Sequence, residues 1–139
     1  MGRPIKSLIT ALNRTFSELE NQGWQTGTPE SMEVACCQSC SWYNFEKEKG
    51  DNIVFYHEQD LDHYREAKRE NKINVKWNEE LVRESLMLAW SGDVQHLIDT
   101  LVKNRVVVRW DKSPKTRLEV SMAEVGQPGE LKTYERAVS

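Results

Sequence analysis

Apolar and polar positions divide the chain into helix-like and strand-like stretches. Between residues 4 and 20, Ile5, Leu8, Ile9, Leu12, Phe16 and Leu19 recur at spacings of three and four. That period puts them on one stripe of an amphipathic helix, with Asn13, Arg14, Ser17, Glu18 and Glu20 mostly elsewhere. Gly23 can end the helix in a left-handed cap. Residues 23–31 are turn-rich, with Trp24 as an apolar anchor, and Met32 leads a short apolar run into the cysteines. A short helix is predicted over Gln38 to Lys47, with Trp42 and Phe45 three residues apart.

Asn52 to His57 reads as a strand, with Ile53, Phe55 and His57 on one face and Val54, Tyr56 and Glu58 on the other. Asp60 is placed to cap a charged helix over 61–71 that keeps only Leu61, Tyr64 and Ala67 for burial. An excursion follows: Lys72 to Trp77 alternates like a strand, and Asn78 to Arg83 reads as a turn of helix. Glu84 to Trp90 predicts a second strand. Asp93 caps a helix whose stripe is Val94, Leu97, Ile98, Leu101 and Val102. Val106 to Trp110 is β-branched and predicts a third strand. Asp111 to Lys115 is a turn. In Thr116 to Met122, Leu118, Val120 and Met122 alternate with Arg117, Glu119 and Ser121, as in a half-exposed strand closing an antiparallel hairpin. The helical crossover between the 84–90 and 106–110 strands permits parallel pairing there.

These elements predict an α+β fold: a single-layer, mostly antiparallel sheet of about four strands with helices packed mainly on one face. Residues 1–22 supply a helix that packs on the domain, and 23–122 form the α+β domain. Gly126-Gln127-Pro128-Gly129 works against regular structure, so 123–139 is expected to be a flexible tail on which Tyr134 and Val138 could dock a partner.

Composition limits the partners. The 139 residues suit one domain; 38% are apolar and 29% charged, and the five tryptophans argue against disorder. A net charge of −3 offers no general attraction to nucleic acid or anionic membrane. No run approaches the roughly 18 apolar residues of a membrane span. The first residues lack a signal-peptide core, and Lys6 stands where myristoylation needs Ser or Thr. A cytoplasmic protein is expected.

Chemistry concentrates at Cys36, Cys37 and Cys40, which are all the cysteines of the chain. An odd count with two adjacent thiols argues against a disulfide framework. Cys37 and Cys40 have C-x-x-C spacing, which lets two thiolates meet one ion; Cys36 and His57 could complete a zinc site, with His63 or Asp60 as weaker candidates. No cofactor is expected unless these residues bind zinc. The same spacing at a helix start also fits a redox pair with a lowered thiol pKa. The plain alternative is three small apolar core residues. His57, Gln59 and Asp60 end the first strand, where ligand-facing residues often sit, although Asp60 and Asp93 both also read as helix caps. Trp90 reads as core edge and Trp77 as an exposed contact residue. No nucleophile motif and no glycine-rich phosphate loop is present. Arg65, Lys68, Arg69 and Lys72 are interleaved with Glu66 and Glu70, as on a solvated helix face.

Four blocks together, Cys36-Cys37-Gln38-Ser39-Cys40-x-Trp42, Val54 to Asp60, Leu86 to Asp93 and Val108 to Val120, resemble an uncharacterised bacterial and phage domain family. The resemblance spans about residues 36 to 120. It supports the element order and implies no activity. The chain departs from it in a longer 61–83 segment and in Asn104-Arg105, where the family tends to place a glycine.

Three readings follow. The first is a small non-enzymatic interaction protein, such as a phage or bacterial regulator, that binds a protein partner through the sheet edge, the 61–83 excursion or the tail. The second is a zinc or thiol-redox domain centred on Cys37, Cys40 and His57. The third is a small-ligand binder at the end of the 52–57 strand that uses His57, Gln59, Asp60, Trp90 and Asp93.

Overall fold

The computed structural model describes residues 8–33, 36–45, 51–62, 64, 73–77, 80–83, 85–114, 116–123 and 126–133. Ile5, His63, Ala67, Tyr134, Val138 and the charged stretch 65–72 lie outside them.

The first helix, α1 (Leu8–Glu20), forms where the three- and four-residue spacing runs, and it buries Leu8, Ala11, Leu12, Thr15, Phe16 and Leu19. Gly23 takes the left-handed conformation after it (φ 91°), and Trp24 N–H returns to the Leu19 carbonyl at 3.0 Å. Strand β1 (Gln25–Gly27) follows, then a short helix α2 (Gln38–Ser41) with a 3-10 turn at Trp42–Asn44. Strand β2 (Ile53–Phe55) leads into a helical stretch over residues 58–62. Strands β3 (Ile73–Trp77) and β4 (Glu80–Arg83) pair with each other as a separate antiparallel two-stranded sheet. The helical turn expected over 78–83 is therefore a strand at Glu80–Arg83. Strand β5 (Leu86–Ser91), helix α3 (Val94–Lys103), β6 (Val106–Trp110), β7 (Leu118–Met122) and β8 (Glu130–Thr133) complete the order.

The main sheet has six strands in the order β1-β2-β5-β7-β6-β8. Its centre is antiparallel, as expected, but both outer pairs, β1 with β2 and β6 with β8, are parallel. The expectation of about four mostly antiparallel strands is corrected to a six-stranded mixed sheet. Two short edge strands carry no sequence signal of their own. β1 is only Gln25-Thr26-Gly27, and β8 lies in the segment read as a flexible tail. Strand-forming capacity in β8 comes from the edge it pairs with, since Glu-Leu-Lys-Thr has little intrinsic preference.

Helix α3 carries the chain from β5 to β6 in the same direction, but the two strands do not touch. β7 fills the place between them, antiparallel to both. Direct pairing of the 84–90 and 106–110 strands does not occur.

Alternation sorts the side chains onto two faces. Val54, Tyr56, Leu86, Leu88, Val106, Val108, Leu118 and Val120 point to one face and pack with α1 and α3 in the main core. Ile53, Phe55 and Ala89 point to the other and form a second cluster with Met32, Trp42 and Phe45. Helices α1 and α3 lie on one face, and the turn at α2 covers the other near β2, so the sheet is buried on both faces there. Buried polar ties join the helices: Asn104 Nδ2 donates to Thr15 Oγ1 at 3.1 Å and to the Thr100 carbonyl at 3.0 Å. Gln25, Thr26 and Gly27 of β1 run beside Ile53, Val54 and Phe55. A Cβ on Gly27 would lie 2.7 Å from Met32 Sδ and 2.8 Å from Phe45 Cζ, so the bare backbone is what lets both side chains approach.

Two substitutions probe these joints. A Cβ at Gly129 would lie 2.5 Å from the Val102 carbonyl and 2.6 Å from the Val106 carbonyl. Gly129→Ala is expected to lift β8 from β6, cost about 1–3 kcal/mol by overpacking, and speed amide hydrogen exchange at residues 130–133; unchanged exchange there refutes the account. Arg105 holds φ at 67°, in the region that costs a non-glycine residue about 1–2 kcal/mol. Arg105→Gly should stay within about 1 kcal/mol of the parent in urea unfolding, offset by greater unfolded-state entropy, whereas the β-branched Arg105→Val should be clearly destabilised.

Candidate functional site

The cysteine turn is built by packing on one side and hydrogen bonds on the other. Trp42 meets Phe55 edge-on at 4.7 Å between ring centroids, and Phe45 stacks on Phe55 at 5.2 Å. Asn44 closes the turn: its Oδ1 accepts from Glu33 N–H at 2.9 Å and its Nδ2 donates to the Ser41 carbonyl at 3.0 Å. Ser41 N–H donates to the Cys37 carbonyl at 2.9 Å, so the chain curls back over the cysteines. The Sγ atoms of Cys36, Cys37 and Cys40 then lie within 4.8 Å of one another. Cys36 is exposed, Cys37 and Cys40 are half-buried, and none is in a disulfide.

This crowding acts on ionisation. The Cys40 thiol is pushed up to about 11 by its contacts with Cys37 and then Cys36, which favour the protonated form. A redox pair would need a lowered thiol pKa, and α2, with four residues, has little macrodipole to supply one.

His57 does not join the cysteines. It lies on the same sheet face as Phe55, is 4% exposed, and its Nε2 is 3.1 Å from Asp60 Oδ2. Arg117 approaches from the start of β7: its Nη1 is 3.2 Å and 3.3 Å from the two Asp60 oxygens and 3.4 Å from His57 Nε2. Asp60 is not the N-cap expected. The helical stretch begins at residue 58, Leu61 N–H reaches the His57 carbonyl, and the Asp60 carboxylate turns back to the sheet. Burial raises the Asp60 pKa above the ordinary carboxylate value, and His57 and Arg117 pull it back.

The other expected site residues are spread out. Gln59 is exposed. Asp93 is an N-cap, its Oδ1 accepting from His96 N–H at 3.2 Å. Trp90 shares the helix-side face with Leu88, donates its Nε1 hydrogen to the Thr116 carbonyl at 2.8 Å and meets Trp110 edge-on at 6.0 Å. Trp90 and His57 therefore lie on opposite faces. Trp77 falls within β3, and its side chain is outside the described residues.

A polar group escaped the sequence reading. Arg117, Glu119 and Ser121 were expected at the solvent side of a half-exposed strand, but Glu119 and Ser121 are 6% and 5% exposed. The register sets Met87 beside Glu119, Glu119 beside Arg109 and Arg109 beside Lys132. Arg109, also buried, donates from Nη1 to Ser121 Oγ at 2.6 Å. Burial raises the Glu119 pKa; a hydrogen bond from Ser85 and the nearby Arg109 charge oppose that shift. The one sequence signal was a charge inside the apolar run Val106-Val107-Val108-Arg109-Trp110.

Residues 7–126 match a family described as a domain of unknown function, DUF6891. The match takes in α1 as well as the 36–120 blocks. No curated protein and no solved structure matches the chain.

The raised Glu119 pKa sets a pH dependence. The folded state takes up the Glu119 proton at higher pH than the unfolded state, whose ordinary value is 4.5. Stability should rise as pH falls from neutral toward that value and level off below it. Glu119→Gln removes this contribution, so the stability of the parent relative to the variant should improve between pH 7 and pH about 4.5 in urea unfolding. An opposite slope would mean that Arg109 and Ser85 outweigh burial.

Proposed function

The chain belongs to the DUF6891 family, and we propose that it is a metal-binding protein whose Cys36, Cys37 and Cys40 hold one thiophilic cation, zinc first. The observation that carries this reading is the mutual approach of the three Sγ atoms within 4.8 Å. Two thiolates on a tetrahedral zinc, each about 2.3 Å from the ion, sit about 3.8 Å apart, so only a small adjustment is needed. Uncompensated, the Cys40 thiol beside its two neighbours resists ionisation; a divalent cation turns that crowding into coordination. The chemistry is structural: the ion would clamp the turn that carries Trp42 and Phe45 onto Phe55. His57 is left in its own cluster with Asp60 and Arg117. An intracellular, reducing setting suits thiols kept available for a metal.

A second reading, partner binding, is favoured by Tyr43. It is 88% exposed within the turn that follows the cysteines, an unusual position for so large an aromatic side chain. At the sheet edge, β8 offers Leu131, 36% exposed. Ordering of the turn by metal would set how Tyr43 is presented.

Purified without chelator, the protein should carry zinc at one ion per chain and take up cobalt with a thiolate charge-transfer band. Affinity should rise with pH, because the thiol protons must leave. At a hundredfold excess of zinc over Kd, unfolding should be stabilised by about 2.7 kcal/mol. Absence of both the band and the stabilisation in the parent protein would overturn the proposal.

A further inference from the structure

The three-cysteine cluster is an all-sulfur set of three donors, and the geometry points to trivalent arsenic or antimony, taken up as the neutral hydroxide, as its ligand. This rests on the reading of Cys36, Cys37 and Cys40 as one metal-ligand set. It goes further in naming a ligand whose preferred shell those three side chains complete by themselves. Trivalent arsenic binds three sulfurs as a shallow pyramid, and its lone pair occupies the fourth direction. A structural zinc site is closed only by a fourth donor. The nitrogen best suited to close it, on His57, is instead 3.1 Å from Asp60 and 3.4 Å from Arg117. Among the described residues, the group that could hold an ion consists of the three thiols alone.

The surroundings fit the same ligand. Soft sulfur donors select soft acceptors. Cys36 is exposed and the other two thiols are half-buried, so a small neutral hydroxide can reach them. The turn is tied from both ends, by Asn44 to Glu33 and Ser41 and by Trp42 and Phe45 to Phe55, which holds three flexible thiols at one place before the ligand arrives. The condensation balances without an oxidant. Three S–H and three As–O bonds break, three As–S bonds and three O–H bonds form, and three waters leave. Arsenic remains trivalent throughout.

The test is native mass spectrometry of the full chain with sodium arsenite, beside a zinc titration of the same sample. The expected result is a single adduct whose mass gain is one arsenic less three hydrogens, with all three thiols blocked to alkylation. Cys36→Ser, at an exposed position, should weaken arsenite at least about tenfold in Kd, and Cys40→Ser should do the same. Phenylarsine oxide, which needs only two thiols, should still bind both variants. An adduct that leaves one thiol open to alkylation, or equal arsenite affinity in parent and Cys36→Ser, overturns the three-thiol ligand. Zinc binding by a parent protein that ignores arsenite also overturns it while leaving the metal-site reading intact. Failure to bind either ion ends both.

Discussion

The position of β7 between β5 and β6 is the constraint on which the rest depends. Helix α3 returns the chain in the direction of β5 but one strand too far away to pair. The gap is closed by a strand running the other way, which the hairpin from β6 delivers. β7 then hydrogen-bonds on both edges, so neighbouring strands flank its side chains on both faces, and Glu119 and Ser121 are buried with the rest. Leu118 and Val120 enter the helix-side core. Arg117 reaches His57 and Asp60, and Glu119 and Ser121 come to lie beside Arg109. The polar face of a strand that would be solvated at an edge is thereby made internal. Charges there persist only with partners, because burial disfavours the ionised form.

The second constraint is Phe55. It lies at the end of a three-residue strand, fully buried, with Trp42 and Phe45 against its ring. Those two aromatics sit just after the cysteines, so the packing that covers the sheet also places the turn that gathers the thiols. Gly27 supports both, since its missing side chain gives Met32 and Phe45 room beside β1. The cysteine turn is thus anchored by apolar packing.

The two helices were legible because a stripe of period 3.6 implies one buried face wherever the helix packs. Leu8, Leu12, Phe16 and Leu19, and likewise Leu97, Ile98 and Leu101, are buried as their spacing predicts. The caps at Gly23 and Asp93 were legible for a local reason, since each satisfies backbone groups within a few residues of itself. The strands at 53–55 and 106–110 were legible from β-branched and aromatic content, 118–122 from alternation, and 86–91 as a short apolar run closed by Ser91-Gly92-Asp93. The cysteine cluster was legible as a set, but its fourth member was not: His57 has the right chemistry and the wrong neighbours.

By itself, the sequence determined which segments are helix or strand and which side chains alternate together, because those properties depend on nearest neighbours along the chain. Tertiary structure alone decided strand order, the parallel edges at β1 and β8, and whether a face meets water. Glu119 reads as a surface residue until Arg109 stands beside it, and Glu130–Thr133 reads as tail until β6 offers an edge. Asp60 has the residue type of a cap, but Arg117, 57 residues away in the chain, draws its carboxylate to the sheet. Long-range pairing supplies the partners that local preference cannot specify, so buried charge and edge strands became visible only with the fold.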